Sequence, residues 1–135
     1  MILPQLMLRQ IIEHAERARP LEACGLIGGS AGQAVTFYPC TNAAASPHAY
    51  AIAPQEILRC FKAMDAAGED LAAIAHSHPA SAAYPSSSDV RQAYYPNALQ
   101  IIVSLSGEST EVRGFWIRSG TVEEEELTVR HEGRA

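Results

Sequence analysis

His76-Ser77-His78-Pro79, followed by Pro85-Ser86-Ser87-Ser88-Asp89, is the stretch on which the reading of the fold turns. Just before it, Leu71-Ala72-Ala73-Ile74-Ala75 is a short apolar run between Gly68-Glu69-Asp70 and Pro79. That is the pattern of a buried strand. Strand side chains alternate between faces, so His76 and His78 share one face at the strand end while Ser77 points away. Pro79 stops the ladder because it has no N–H to donate. Ser86 then reads as the N-cap of a helix running on through Tyr94, with Asp89 at its third position as in an S-x-x-D capping box. A loop between strand and helix returns Asp89 to the two imidazoles. Two histidines and one carboxylate leave a fourth position for water, which is the open pattern of a catalytic zinc site rather than a structural one.

Each half of this pattern is weak alone. H-x-H at a strand end is often just a pair of surface histidines, and S-x-x-D is more often only a cap. Joined in order as H-S-H-P-x6-S-x2-D, with a proline after the second histidine and another before the serine, they point to a metal site.

The composite motif resembles that of the JAMM (MPN+) zinc metalloproteases. Upstream, Pro20-Leu21-Glu22-Ala23-Cys24-Gly25-Leu26-Ile27-Gly28-Gly29 is similar to the family's glutamate-bearing strand, E-x-C-G followed by two hydrophobic residues and glycine. The resemblance runs from the first helix to the strands after Asp89, and the short chain is similar to the stand-alone prokaryotic members. It implies one Zn2+ per chain held by His76, His78 and Asp89, with Glu22 as general acid/base. It also implies that Ser86 hydrogen-bonds the oxyanion of the tetrahedral intermediate. As substrate it implies a ubiquitin-like sulfur-carrier protein, cleaved at an amide or isopeptide bond after its C-terminal Gly-Gly. For the fold it implies a three-layer α/β sandwich similar to cytidine deaminases. Deaminase chemistry is not expected, because the H-x-E and P-C-x-x-C signature is absent.

The chain has 135 residues, enough for one domain with its own core, and residues 1–135 are read as a single domain. A net charge of −5 gives no basic footprint for nucleic acid. Three cysteines, Cys24, Cys40 and Cys60, with no C-x-x-C, argue against a disulfide framework or a cysteine zinc site and suit a reducing cytosol. Cys24 reads as a small core residue rather than a nucleophile. The N-terminus lacks a signal-peptide pattern, and no apolar run approaches the ~20 residues of a membrane span. A cytoplasmic protein without membrane attachment is the expectation.

In chain order, residues 4–19 show an amphipathic helical face in Leu8, Ile11, Ile12, Ala15 and Ala18, with His14 read as solvated. Residues 22–28 read as an apolar strand opened by Glu22, whose carboxylate must be paired or functional if buried. Gly28-Gly29-Ser30-Ala31-Gly32 reads as a hairpin turn into a strand over residues 34–38. It is not a phosphate loop, since no helix and no G-K-[ST] follow. Residues 39–47 read as a loop and residues 48–52 as a short extended piece, with His48 at a rim. In the family that region helps hold the substrate's tail as an added strand edge. Residues 54–67 form a second helix closed by Gly68. Strands are expected at residues 99–105, 111–117 and 121–129. The last carries Glu123 to Glu126 as a solvated edge, and residues 131–135 form a loose tail. Alternating helices and strands give an α/β architecture around a mixed, partly antiparallel sheet.

Two other functions compete with the peptidase acting on carrier proteins. One is a zinc hydrolase of small peptides on the same scaffold. The other is a non-catalytic module that binds ubiquitin-like proteins, which the full set of motif positions disfavours.

Overall fold

A computed structural model describes residues 1–30 and 32–131. The elements are β1 (Ile2–Pro4), α1 (Gln5–Ala18), β2 (Cys24–Ser30), β3 (Gln33–Cys40), α2 (Pro54–Ala67) and β4 (Asp70–His78). They continue with α3 (Ser87–Arg91), β5 (Leu99–Ser104), β6 (Glu111–Arg118), β7 (Thr121–Glu125) and β8 (Thr128–Arg130). One eight-stranded sheet runs β7-β6-β5-β4-β2-β3-β1-β8. It is mixed: β4 and β5 are parallel, as are β1 with β3 and with β8, and the other pairs are antiparallel.

The alternation of β4 distributes the core. Ala73 and Ala75 face α1 and meet Met7, Ile11 and Ala15, together with Leu99, Ile101 and Val103 of β5. Ile74 faces the other way, toward Leu26 and the α2 residues Cys60 and Met64. Each fully buried aliphatic side chain contributes on the order of 1.5–3 kcal/mol. A smaller cluster, Ala83, Ile102, Phe115 and Ile117, supports α3 through Val90. Helices therefore cover both faces of the sheet, in three layers. His76 and His78 fall on the face of Ile74, at the strand's C-terminal end.

The sheet is curled. Its two outermost strands, β7 and β8, are joined only by Glu126 and Leu127, so the two edges must lie side by side. Leu127 packs against the α1-side core. This corrects the single strand expected over residues 121–129. The alternation slips at Glu123–Glu124, and Leu127 then turns inward and hands the chain from one edge to the other. Glu123 and Glu124 are exposed, as an edge position implies, but Glu125 is half-buried and accepts a hydrogen bond from Trp116 Nε1 at 2.8 Å.

Other boundaries also move. The short β1 pairs with β3 and β8 ahead of α1. The expected turn at residues 28–32 is narrower, because β2 continues through Gly28, Gly29 and Ser30 over a register shift between Gly28 and Gly29. Ala31 lies outside the described residues. Residues 48–52 form no strand. The helix expected to reach Tyr94 ends at Arg91. The loose tail expected over residues 131–135 lies outside the described residues from 132 onward.

Candidate metal centre

Glu22 does not open β2 as expected; it stands two residues before it. Its position is fixed by its neighbour. Ala23 N donates to Ser77 Oγ at 2.7 Å, and Ser77 N donates back to Ala23 O at 3.0 Å. Ser77, pointing away from the histidines, thus locks the Glu22 segment against the strand that carries them. Glu22 is 4% exposed, and its Oε1 has no hydrogen-bond partner.

On the other side of the strand end, Ser86 caps α3. Asp89 N donates to Ser86 Oγ at 3.0 Å and Ser86 N donates to Asp89 Oδ2 at 2.9 Å, the reciprocal capping box the spacing predicts. The box does double duty, because Asp89 Oδ2 also faces both imidazoles. It lies 3.2 Å from His76 Nε2 and 3.0 Å from His78 Nε2, and the two Nε2 atoms are 3.2 Å apart. Three ligand atoms held at ~2.05 Å from one ion in a tetrahedral arrangement would sit about 3.3 Å from each other. The triangle matches that requirement closely.

The tautomer of His78 also suits a metal. Its Nδ1 lies 2.8 Å from Ala82 O, and a carbonyl only accepts, so Nδ1 keeps a proton in either charge state; Nε2 donates to Asp89 Oδ2 while protonated and presents its lone pair to the centre once that proton leaves. His76 Nδ1 is buried without a partner. Its ring is instead held by Tyr50, stacked on it with centroids 4.7 Å apart at 27°.

The electrostatics divide the two carboxylates. Burial pushes Glu22 up to about 7; the charge of His78 works against that and the charge of Asp89 adds to it. Burial also opposes the charge on Asp89, but hydrogen bonds from His76 and His78 outweigh it and hold that carboxyl well below the usual carboxylate range. Burial opposes charging of His78 too, and its bonds to Asp89 and Ala82 more than compensate, so it is raised. One carboxylate is therefore fixed as an anion facing the imidazoles, and the other is poised to trade a proton near neutrality. Cys24 is buried, and its thiol is pushed up to about 12 by that burial and by the Glu56 and Glu22 carboxylates, which removes it as a nucleophile.

Two residues at this site carry no legible signal in the sequence. Tyr50 lies in a segment read only as extended, and nothing in its spacing places it on a histidine. Asn42 lies in a loop of small polar residues; its bonds become visible only when the loop closes on Glu22. His14, read as solvated, is half-buried, with Nε2 at 3.0 Å from Cys24 O and 3.1 Å from Cys40 O. On the metal side of the sheet, Tyr50, Ile52, Ile57, Phe61, Tyr94 and Tyr95 line a pocket of about 360 Å3.

Three convergent ligand atoms beside a protonatable buried carboxylate are the equipment of a metal-dependent hydrolase. Comparison with known proteins takes this one step further. The family model described as prokaryotic homologs of the JAB domain matches residues 4–118, and the chain belongs to that family. It is similar to the CysO-cysteine peptidase of Mycobacterium tuberculosis, with 37% identity over 126 residues, covering 91% of this chain and 86% of the relative. It is also similar to the desampylase of Haloferax volcanii, with 36% identity over 107 residues, covering 74% and 77% of the two chains. The solution structure of protein DSY2949 from Desulfitobacterium hafniense superposes with a TM-score of 0.89 at 33% identity, covering 98% and 94%. The chain is a hydrolytic enzyme, and its His76, His78 and Asp89 are grouped closely enough to hold a metal ion.

Proposed function

We propose that this protein is a zinc-dependent peptidase. Its substrate is a ubiquitin-like sulfur-carrier protein, cleaved at the amide or isopeptide bond after the C-terminal Gly-Gly. The observation that carries the reading is the triangle of His76 Nε2, His78 Nε2 and Asp89 Oδ2 beside Glu22, whose Oε1 is buried and unpartnered. The names of the two relatives, a peptidase acting on CysO-cysteine and a desampylase, support the substrate class. Residues 1–135 act as one JAMM domain in this reading, in the cytoplasm.

His76, His78 and Asp89 would hold the ion. Bound there, zinc supplies Lewis acidity toward a water molecule and toward the scissile carbonyl. Glu22 takes a proton from the attacking water as the new C–O bond forms, and passes it to the amine as the C–N bond breaks. With an acidity near neutral, Glu22 is suited to both transfers. Ser86 donates its hydroxyl proton to the developing oxyanion. The cap and this task do not compete: as a cap, Ser86 Oγ only accepts, which leaves its proton free, and the residue is exposed. Glycines before the scissile bond let an extended tail approach a narrow cleft.

The test is hydrolysis of a sulfur-carrier protein extended past its Gly-Gly, followed by mass spectrometry of the products. Cleavage after Gly-Gly by the zinc-loaded protein is expected. Intact carrier in the presence of one bound zinc would refute the substrate class, and faster turnover of a short Gly-Gly-X peptide would favour the small-peptide hydrolase.

A further inference from the structure

Asn42 is half-buried in the irregular segment between β3 and α2, and its carboxamide makes five contacts with the backbone. Nδ2 faces Glu22 O at 2.9 Å, Ala49 O at 2.9 Å and Ser46 O at 3.3 Å. Oδ1 accepts from Ala44 N at 3.0 Å and Ala51 N at 3.1 Å. Three carbonyls on one side and two N–H groups on the other fix the amide orientation without ambiguity.

An asparagine in a loop is usually a turn former, and the bond to Ala44 N, two residues on, is of that kind. The other bonds are not. One reaches back 20 residues to the carbonyl of Glu22, and two grip the residues on either side of Tyr50. Ser46 reinforces the same link, since Glu22 N donates to Ser46 O at 2.9 Å. One side chain therefore ties the backbone of the carboxylate to the backbone of the tyrosine stacked on His76. Among the described residues, no other side chain bonds the backbone on both sides of the Glu22–Tyr50 gap.

We infer that Asn42 is a positioning residue for the reaction, holding Glu22 and Tyr50 at a fixed spacing around the His76 ligand. The inference rests on the peptidase reading above. A catalytic group misplaced by about 1 Å loses up to ~100-fold in rate. Asn42→Ala takes the partner from the carbonyls of Glu22 and Ala49 and from the N–H groups of Ala44 and Ala51, while Ser46 O keeps Glu22 N. Asn42→Asp keeps the shape and the Oδ1 acceptor but puts an anion against three carbonyl oxygens.

The experiment compares zinc-loaded wild type, Asn42→Ala, Asn42→Asp and the core control Met7→Ala. Amide hydrogen exchange by NMR and steady-state kinetics on the Gly-Gly-extended carrier are measured for each. Met7 is 3% exposed, on α1 in the core cluster of the opposite sheet face, to which no residue of the loop belongs, so its truncation destabilises without touching the loop. For both Asn42 variants, kcat per zinc-loaded, folded molecule falls at least tenfold with KM within threefold and zinc retained. Exchange at the Glu22 and Ala51 amides quickens at least tenfold, while central β4 and β5 amides hardly change. Met7→Ala quickens exchange broadly and keeps kcat. An unchanged kcat in folded Asn42 variants overturns the inference, as does exchange that rises equally across the sheet. If wild type fails to cleave the carrier, the peptidase reading falls instead. The exchange pattern then still decides whether Asn42 joins the two segments.

Discussion

In the proposed reaction, Glu22 concentrates the proton transfers in one side chain. A carboxyl group this buried, with one oxygen unpartnered, costs stability unless it is neutral or engaged, and its acidity near 7 records that cost. Glu22→Gln keeps the shape and removes the proton exchange. We expect kcat to fall ~10²- to 10⁴-fold with one zinc still bound, read by kinetics and metal analysis. Ser86→Ala removes the proposed oxyanion donor and weakens the α3 cap, and a ~10²- to 10³-fold loss in kcat is expected. The metal-free protein offers a separate handle. Glu22 is raised from 4.5 to about 7 on folding, so the folded state favours its protonated form. Its contribution to stability is complete below about 4.5 and is lost as pH rises through about 7, a change of about 3 kcal/mol at most. His78, also raised, acts in the same direction, while the depressed Asp89 costs stability only in acid. Thermal denaturation of the metal-free protein should therefore show a Tm that falls from about pH 5 to about pH 8. In Glu22→Gln the fall should be shallower, and equal slopes would contradict the assignment.

At the scale of elements, what was legible followed from periodicity and from caps. The apolar run ending in His76 and His78 announces β4, and S-x-x-D announces the capping box, because both patterns are local. Leu127 defeats the same reasoning. By sequence it continues a strand, and only the curl of the sheet makes it a core residue that ends one edge and starts the other. His14 likewise sits on a helix flank that reads as wet, until the ends of β2 and β3 arrive to be bonded. Two substitutions test these placements. His14→Leu keeps the bulk and removes the N–H shared by Cys24 O and Cys40 O; a loss of ~1–3 kcal/mol is expected in denaturant unfolding. Gly114→Ala would bring a Cβ to 2.9 Å from Leu127 Cδ2 and 3.0 Å from Leu99 Cδ2. Overpacking there should cost ~1–3 kcal/mol, and a neutral result would place Leu127 elsewhere.

For the molecule as a whole, the antiparallel pairing of β2 with β4 does one thing for the site: it puts the start of β2 beside the end of β4. Glu22 and the histidines then face one another from residues more than fifty positions apart. Motif spacing conveys the partners but not the reason they meet, which lies in the Ala23–Ser77 exchange of hydrogen bonds. Nor does spacing convey the loop that carries Asn42 and Tyr50, because its order is tertiary. The most direct test of the account is activity on the Gly-Gly-extended carrier after chelation and stepwise return of zinc, measured together with bound metal. The account predicts no cleavage without metal, recovery that saturates at one zinc per chain, and neither binding nor recovery in His76→Ala. Cleavage by the fully metal-free protein would contradict it.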